Sequence, residues 1–553
     1  MEKQQQVEAE GSATPHGGSS RIWDRTWPLH PFLFAAAAIF AIMARNLNHT
    51  GFDDILPSFL VALGIAATIY CAVALIRRRF DALAAVIASV WVFGVFNYVE
   101  LFGGINRSVD GGFPMVRSLP IAVLVLAVVT VIVLKMRRLA PVANTTLNGI
   151  AIVFLLMPLW SVGQFAWNNR GSLESYDPED AMAELEPFVA RAASPDQPPD
   201  IYHFIFDRYT SEEVLAQYFD FDNSEISHFL EEHGFYLARG SNSNYQKTGH
   251  SIASTFHMAY LDQLGDDPRV KNANWHPIYK ILDDHRAGRF LKAQGYHLAQ
   301  FGSWWVGTYN SSVADENRPH GFSEFGMIFW RTTMLRPLFH LMPDTQLTMR
   351  LDWDNAQCQR VGPQVEEIKA IGEQVAEPLY VFAHILVPHG PENFAPDGRC
   401  LSQKEAAERG GEQGYLDQIE YANQIIREMV TTLQAPGRRP AVIIFQADEG
   451  PFPKRNGRIP WQEASVDELR IKTGILNAYY FPGQDYDGLW QDITPVNTYR
   501  VLFNTLFGTR LPLLEDHIYA FPTDGKIYEF HDVTSRVRGP GPVADTGHGP
   551  MPN

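Results

Sequence analysis

The chain has 553 residues, with 45 Lys and Arg against 62 Asp and Glu, for a formal net charge of −17. Its 46% hydrophobic and 12% aromatic content excludes a disordered or fibrous chain. Three cysteines exclude a disulfide scaffold and a cysteine-rich zinc module, the length exceeds one small domain, and the acidic balance argues against nucleic acid as a partner.

Residues 1–27 begin with a polar, Gly/Ser-rich run and predict a disordered cytoplasmic tail. Five apolar stretches follow, at roughly 28–45, 55–76, 82–102, 118–134 and 148–167. A bilayer core takes about 20 mostly apolar residues as a helix, so residues 28–168 predict a five-helix transmembrane bundle, with the first and fourth stretches the shortest. The first stretch lacks a small-x-small cleavage site and more spans follow it, which argues against a signal peptide.

Loop charges set the expected topology. Lys3, Arg21 and Arg25, then Arg77, Arg78 and Arg79, then Lys135, Arg137 and Arg138 fall in alternate segments. The segments between them hold only Arg107 and Arg117, plus Arg45 at a span edge. The positive-inside rule then puts the N-terminus in the cytoplasm and everything beyond Trp167 outside it. Cys358 and Cys400 fall on that side, where a disulfide is permitted; Cys71, mid-span, reads as a small apolar residue. Residues 1–169 hold 12 Lys and Arg and 9 Asp and Glu, so the remaining 33 and 53 leave the exported part with a net of −20.

Residues 169–199 are rich in Pro, Ala and acids and predict a linker with one short helix at 178–192. From 200 to 535 the pattern alternates. DIYHFIFDRYT, GYHLAQFGSWW (295–305), PLYVFAHILVPHGP (378–391) and RPAVIIFQADEGP (439–451) read as buried parallel strands ending in polar residues. SEEVLAQYF, NSEISHFLEEHG, HRAGRFLKAQG, PQVEEIKAIGEQVAE and GYLDQIEYANQIIREMVTTLQ read as helices between them. Alternation of this kind predicts an α/β domain with a doubly wound, mostly parallel sheet, and residues 536–553 a flexible tail. In such sheets the site lies beyond the carboxyl ends of the strands, where Asp207, His389, Asp448 and Glu449 stand. There is no internal repeat and no Walker, Rossmann-glycine, HExxH or CxxC pattern.

Four segments in order, FIFDRYT, SNYQKTGHSIASTF, HILVPHGP and FQADEGP, resemble the alkaline phosphatase/sulfatase superfamily. A five-span membrane domain followed by an exported catalytic domain is similar, within it, to the lipoteichoic acid synthases and lipid A phosphoethanolamine transferases. The resemblance implies an alkaline-phosphatase-like fold, a multi-pass inner-membrane protein with its catalytic domain periplasmic, and a membrane-lipid, phosphorylated or lipid-linked substrate.

By this resemblance Asp207 is the first-strand acidic metal ligand and Arg208, where the family more often has a small residue, either crowds the metal or binds phosphate. Thr248 is the nucleophile at a turn before a helix, where a metal lowers its pKa and the helix N-terminus favours the anionic group it attacks; Ser251 is the rival. Asp448 matches the acid of the family's Asp-His-Gly motif, with Glu449 in place of the usual His. Asp207, Thr248, Asp448 and Glu449 form an all-oxygen ligand set that suits one hard divalent cation, Mn²⁺ or Mg²⁺ (Ca²⁺ also qualifying) rather than Zn²⁺. His389 matches a phosphate-side histidine that binds a phosphoryl oxygen or protonates a leaving group. His250, Ser251, Lys454 and Arg455 are candidate substrate contacts, His384 reads as a core histidine, and Trp304 and Trp305 read as packing residues, with the lining of a lipid-headgroup pocket as the alternative. TGHSIAS lacks the x-Pro-x-Arg context of a formylglycine sulfatase, which disfavours that route.

Three readings compete. The first is a phospholipid-headgroup transferase that passes through a phosphothreonine to a cell-envelope acceptor. The second is a membrane-anchored phosphatase, phosphodiesterase or sulfuric ester hydrolase, and the third is an inactive relative that binds a partner. The motifs do not separate water from another acceptor, and Glu449 is the departure that keeps the third reading open.

Overall fold

The computed structural model describes residues 27–107, 115–189, 195, 197–271, 273–339, 341–343, 345–351 and 356–539. The expected tail over 1–26, the end of the expected 178–192 helix and the C-terminal tail beyond 539 lie outside the described residues.

The N-terminal part is helical. Among the described residues three helices are long and apolar enough to cross a membrane, Phe52–Arg77, Ser118–Lys135 and Arg137–Ser172. Two shorter apolar helices, His30–Arg45 and Ala82–Phe96, pack with them. The third stretch is shorter than its sequence predicts because the helix breaks at Asn97, whose side-chain amide donates to the Phe93 carbonyl (3.0 Å). A separate helix, Tyr98–Arg107, follows. Phe34, Ile39, Ile42, Val92 and Phe96 meet at the centre of the bundle, while Leu124, Val128, Val131, Met157 and Trp160 stay exposed. An apolar outer face of that extent suits lipid and not water.

The C-terminal part is built on one seven-stranded sheet. Its strands are β1 (Asp200–Phe206), β2 (Tyr236–Leu237), β3 (His297–Phe301), β4 (Glu316–Asn317), β5 (Leu379–Ile385), β6 (Ala441–Gln446) and β7 (Asn477–Tyr480), in the order β2-β7-β6-β1-β5-β3-β4. β1 runs parallel to β5 and β6, and β3 parallel to β5 and β4; β7 is antiparallel to both β6 and β2. Every residue of β1, β5 and β6 is buried, as expected for central strands covered on both faces.

The period-two alternation of these strands feeds two cores. Ile201, Ile205, Phe382 and Ile444 point into one; Tyr202, Phe204, Phe206, Val381, Ile443 and Phe445 into the other. Helices cover both faces, with Gly411–Leu433 against the second core and Thr248–His257 and Arg286–Ala293 against the first. Cys358 and Cys400 form a disulfide between the helix Ala356–Ile371 and the loop after β5.

The two parts touch. The helix Glu324–Thr332 of the C-terminal part packs against Phe52–Arg77, and its Phe325 and Phe329 join the apolar centre of the bundle. The loop between the first two membrane helices lies on the segment around Trp275: the Trp275 amide donates to the Asn48 carbonyl (3.1 Å) and His276 Nε2 bonds the Leu47 carbonyl (2.9 Å).

Candidate active site

The carboxyl ends of β1, β5 and β6 are adjacent in the sheet, so the residues that end them converge. Register pairs Ile205 with both His384 of β5 and Gln446 of β6. Asp207 therefore leaves β1 between His384 on one side and Asp448 and Glu449 on the other. Thr248 opens the helix Thr248–His257 and lines one cavity with Asp207 and Glu449. Gly249 is required next to it. A Cβ there would lie 2.9 Å from the Trp275 ring and 3.3 Å from both Ile278 and Trp305, tighter than packing normally allows.

Each acid has one engaged oxygen and one open oxygen. Asp207 Oδ2 is 3.0 Å from His384 Nε2, whose other nitrogen is 2.7 Å from the Thr308 hydroxyl. Asp448 Oδ1 accepts from the Arg208 amide (3.0 Å). Glu449 Oε1 lies 2.7 Å from the Lys472 ammonium, which also donates to the Gly450 carbonyl (3.1 Å). Asp207 Oδ1, Asp448 Oδ2 and Glu449 Oε2 are buried without a hydrogen-bond partner.

Orphaned buried carboxylate oxygens are costly, so the residues present fit a bound cation. Ligand atoms of Asp207, His384 and Asp448 lie within 4.8 Å of one another, a buried group that suits a metal ion. Both ring nitrogens of His384 are already engaged, so this histidine orients Asp207, as residues behind a metal ligand commonly do.

The electrostatics have the same sense. Burial pushes Asp207 up, but His389, His384 and Arg208 outweigh it and hold the carboxyl below its usual range. Burial, with Asp207 and Glu449 close by, pushes Asp448 well above that range. Burial pushes the Lys472 ammonium down to about 8 against the pull of Glu449. Three cations, Lys472, Arg208 and Lys247, ring the face of Phe452 at 3.6, 4.5 and 5.2 Å, a cation–π cluster at the mouth of the cavity.

That cavity is about 220 Å³ and is lined by Asp207, Arg208, Lys247, Thr248, His384, His389 and Glu449, with Trp304, Trp305 and His49. Arg208 has φ of 65°, in the left-handed region. This conformation costs an ordinary side chain about 1 kcal/mol or more, which is a physical reason for a small residue at this position. His389 hydrogen-bonds the Gly390 carbonyl through Nδ1 and stands edge-on to Trp304. Burial lowers its pKa, against the opposing pull of Asp207. Its loop is held by Gln418, which donates to the Pro388 carbonyl, and Gln357, which donates to that of Gly390 (3.0 Å each).

Four of the sequence-derived residues are not brought to this cluster. His250 is fully buried among Tyr245, Trp275, Phe521 and Phe530 and bonds the Ile527 carbonyl (2.9 Å); burial lowers its pKa to about 3. Ser251 is buried one turn into the helix, its carbonyl accepting from Ser254 and Thr255. Lys454 is exposed and pairs with Glu412 along an adjoining cleft of about 760 Å³, which shares Arg208 and Phe452 with the first. Arg455 donates to the Ile459 carbonyl (2.6 Å) and covers Trp461. Conversely, His384, fully buried within β5, also hydrogen-bonds Asp207 and lines the cavity. Trp304 and Trp305 line the cavity, and Lys472 and Lys247 join the cluster without having been singled out in the sequence.

A family model described as sulfatase matches residues 211–498, more than half of the chain. The chain belongs to the sulfatase family. No curated protein sequence matches it. Its structure is similar to the integral membrane lipooligosaccharide phosphoethanolamine transferase A (EptA) of Neisseria meningitidis, with TM-score 0.36 and 13% identity over 88% of this chain and 98% of that one. It is similar also to the C-terminal periplasmic domain of EcEptC from Escherichia coli, with TM-score 0.35 and 10% identity over 62% and 94%. A third similar structure is a protein of the glycosaminoglycan locus of Bacteroides thetaiotaomicron, with TM-score 0.37 and 12% identity over 60% and 83%. The family match begins at 211, so Asp207 and Arg208 lie just outside it.

Proposed function

We propose that the protein is a membrane-anchored sulfatase-family enzyme that cleaves a phosphodiester at Thr248, moving a phospholipid headgroup to a cell-envelope acceptor. The observation that carries this reading is Thr248 at the first turn of its helix, in one cavity with Asp207 and Glu449, where oxygens of these two acids and of the adjacent Asp448 are buried without partners. Asp207, Asp448 and Glu449 would hold one divalent cation, with Mn²⁺ or Mg²⁺ favoured by the oxygen donors. Such a cation, when bound, supplies Lewis acidity and charge neutralisation at the phosphoryl group.

The protein's own residues do the rest. Thr248 Oγ bonds to phosphorus while the ester bond on the opposite side breaks. The Thr248 proton passes through Asp448 and leaves with the departing alcohol. With its Nδ1–H on the Gly390 carbonyl, His389 donates from Nε2 to a phosphoryl oxygen as the imidazolium, and the helix N-terminus favours the negative charge. An acceptor hydroxyl then attacks phosphorus, breaks the bond to Oγ and returns a proton to Thr248. The N-terminal helices keep the site at the bilayer surface, with the N-terminus cytoplasmic and the catalytic domain outside, which raises the effective concentration of a lipid donor.

The test is turnover of bis(4-nitrophenyl) phosphate by the full-length protein with Mn²⁺ in detergent. The expected result is activity that falls at least about a hundredfold in Thr248→Ala, the scale of losing a covalent nucleophile. Undiminished turnover in that variant overturns the reading.

A further inference from the structure

The cavity at Thr248 is closed on one side by a residue of the membrane domain. His49 sits in the loop between the helices His30–Arg45 and Phe52–Arg77, more than 150 positions before Asp207 in the chain, and it lines the same cavity as Asp207, Thr248, His389 and Glu449. The loop is pinned there. The Trp275 amide bonds the Asn48 carbonyl (3.1 Å) and His276 Nε2 that of Leu47 (2.9 Å). The His49 ring leans on Trp275 with centroids 5.5 Å apart, and its Nδ1 is 3.0 Å from the Tyr279 hydroxyl.

Chemistry then assigns the other nitrogen. The Tyr279 hydroxyl and Nδ1 pair in either direction; when the hydroxyl donates, the neutral ring carries its hydrogen on Nε2, which has no hydrogen-bond partner among the described residues. His49 is exposed and lines the cavity. A second cavity of about 260 Å³, lined by Asn46, Thr50 and Asp54 at the top of the membrane helices, shares His49 and Glu324 with the first. His49 therefore stands between the cavity at Thr248 and the one beside the membrane helices.

We propose that His49 is a substrate-contacting residue supplied by the membrane domain, its Nε2–H donating to an oxygen of the phosphodiester held at Thr248. The inference rests on the reading of Thr248 as the nucleophile. It adds that the site is complete only when the membrane loop is seated on the exported domain. A histidine serving only to pack the seam would need no free nitrogen on the cavity, whereas one that binds the substrate needs the arrangement seen.

The experiment uses the full-length protein in detergent with Mn²⁺, bis(4-nitrophenyl) phosphate as the probe, and the variants His49→Ala, His49→Gln and Thr248→Ala. Gln places an amide N–H near the position of Nε2. The expected result is a fall in kcat/KM of about tenfold or more in His49→Ala, the scale of a hydrogen bond to a charged group. The fall is expected mainly in KM, with partial recovery in His49→Gln. Wild-type kcat/KM in His49→Ala beside a dead Thr248→Ala overturns the inference and leaves the reading of Thr248 standing. Equal losses of kcat and of thermal stability in both His49 variants also overturn it, since they mark a structural role. Full activity in Thr248→Ala removes the reading and the inference together. Should the wild type not turn over the probe, inorganic phosphate is titrated instead: weaker binding to His49→Ala than to wild type supports the inference, and equal affinities overturn it.

Discussion

The ammonium of Lys472 lies 2.7 Å from Oε1 of Glu449, and both groups are buried. The pair leaves Oε2 of Glu449 open and unpartnered beside Asp207 and Asp448. Removing the cation strands a buried carboxylate, which typically costs about 3–5 kcal/mol. Lys472→Met is therefore expected to lower the thermal midpoint of the full-length protein in detergent, and Lys472→Met/Glu449→Gln to recover most of the loss. Equal midpoints for Lys472→Met and wild type would show that the pair contributes nothing.

Cation binding has a defined pH dependence. The metal-free Asp448 carboxyl is raised well above its usual range by burial and by Asp207 and Glu449. A raised folded-state pKa contributes stability that is present below the unfolded value and lost as pH rises through the folded one. The metal-free protein is thus penalised at high pH, where the carboxylate must ionise, and a bound cation relieves that penalty. Thermal scans with and without millimolar Mn²⁺ are expected to show a larger upward shift at pH 8 than at pH 5.5. A larger shift at pH 5.5 would contradict the assignment of Asp448 as a ligand.

His384 orients Asp207 and is itself fixed by Thr308. Loss of such an outer partner typically costs 10–100-fold in metal affinity. His384→Ala is expected to weaken Mn²⁺ binding by that order, measured by titration of the full-length protein, with Thr308→Val giving a smaller effect in the same direction. Unchanged affinity in His384→Ala would return His384 to the core role that its apolar surroundings in the sequence suggest.

The Cys358–Cys400 disulfide joins positions 42 apart and ties the helix that carries Gln357 to the loop that follows His389. A cross-link over that span stabilises by about 2–4 kcal/mol. Reduction, or Cys358→Ser/Cys400→Ser, is expected to lower the thermal midpoint, while Cys71→Ser is not. An unchanged midpoint after complete reduction would sink the prediction.

Lys454 and Arg455 are engaged away from the cavity, with Glu412 and with the Ile459 carbonyl. Lys454→Ala and Arg455→Ala are expected to leave kcat/KM for bis(4-nitrophenyl) phosphate within about twofold of wild type, as surface changes away from a site usually do. A tenfold loss in either would return the residue to the substrate-binding set.

The parts of this molecule that were legible in the sequence are those with a strong local signal. β1, β5 and β6 are continuous apolar runs ending in charge, and their carboxyl ends carry Asp207, His389, Asp448 and Glu449. β2 and β4 have two residues each and β7 has four, too few for an alternation to register. His384 misleads because it lies inside the run LYVFAHI, and its partner Asp207 comes from the neighbouring strand. Lys472 sits in a polar helix with three other charged residues, Asp467, Glu468 and Arg470, so only the tertiary fold reveals its pairing with Glu449. Lys454 errs the other way: six positions from Asp448, it is carried off by the loop. The break at Asn97 was equally hidden, since apolar residues continue on both sides of it.

The most direct test of the account is the mass of the peptide containing Thr248, taken from full-length protein quenched during turnover in vesicles of a phosphatidylethanolamine donor with Mn²⁺. The account predicts a phosphoryl-bearing adduct on Thr248, absent without Mn²⁺ and absent in Asp448→Ala. Headgroup transfer without any adduct on Thr248, or with the adduct on Ser251, would contradict it.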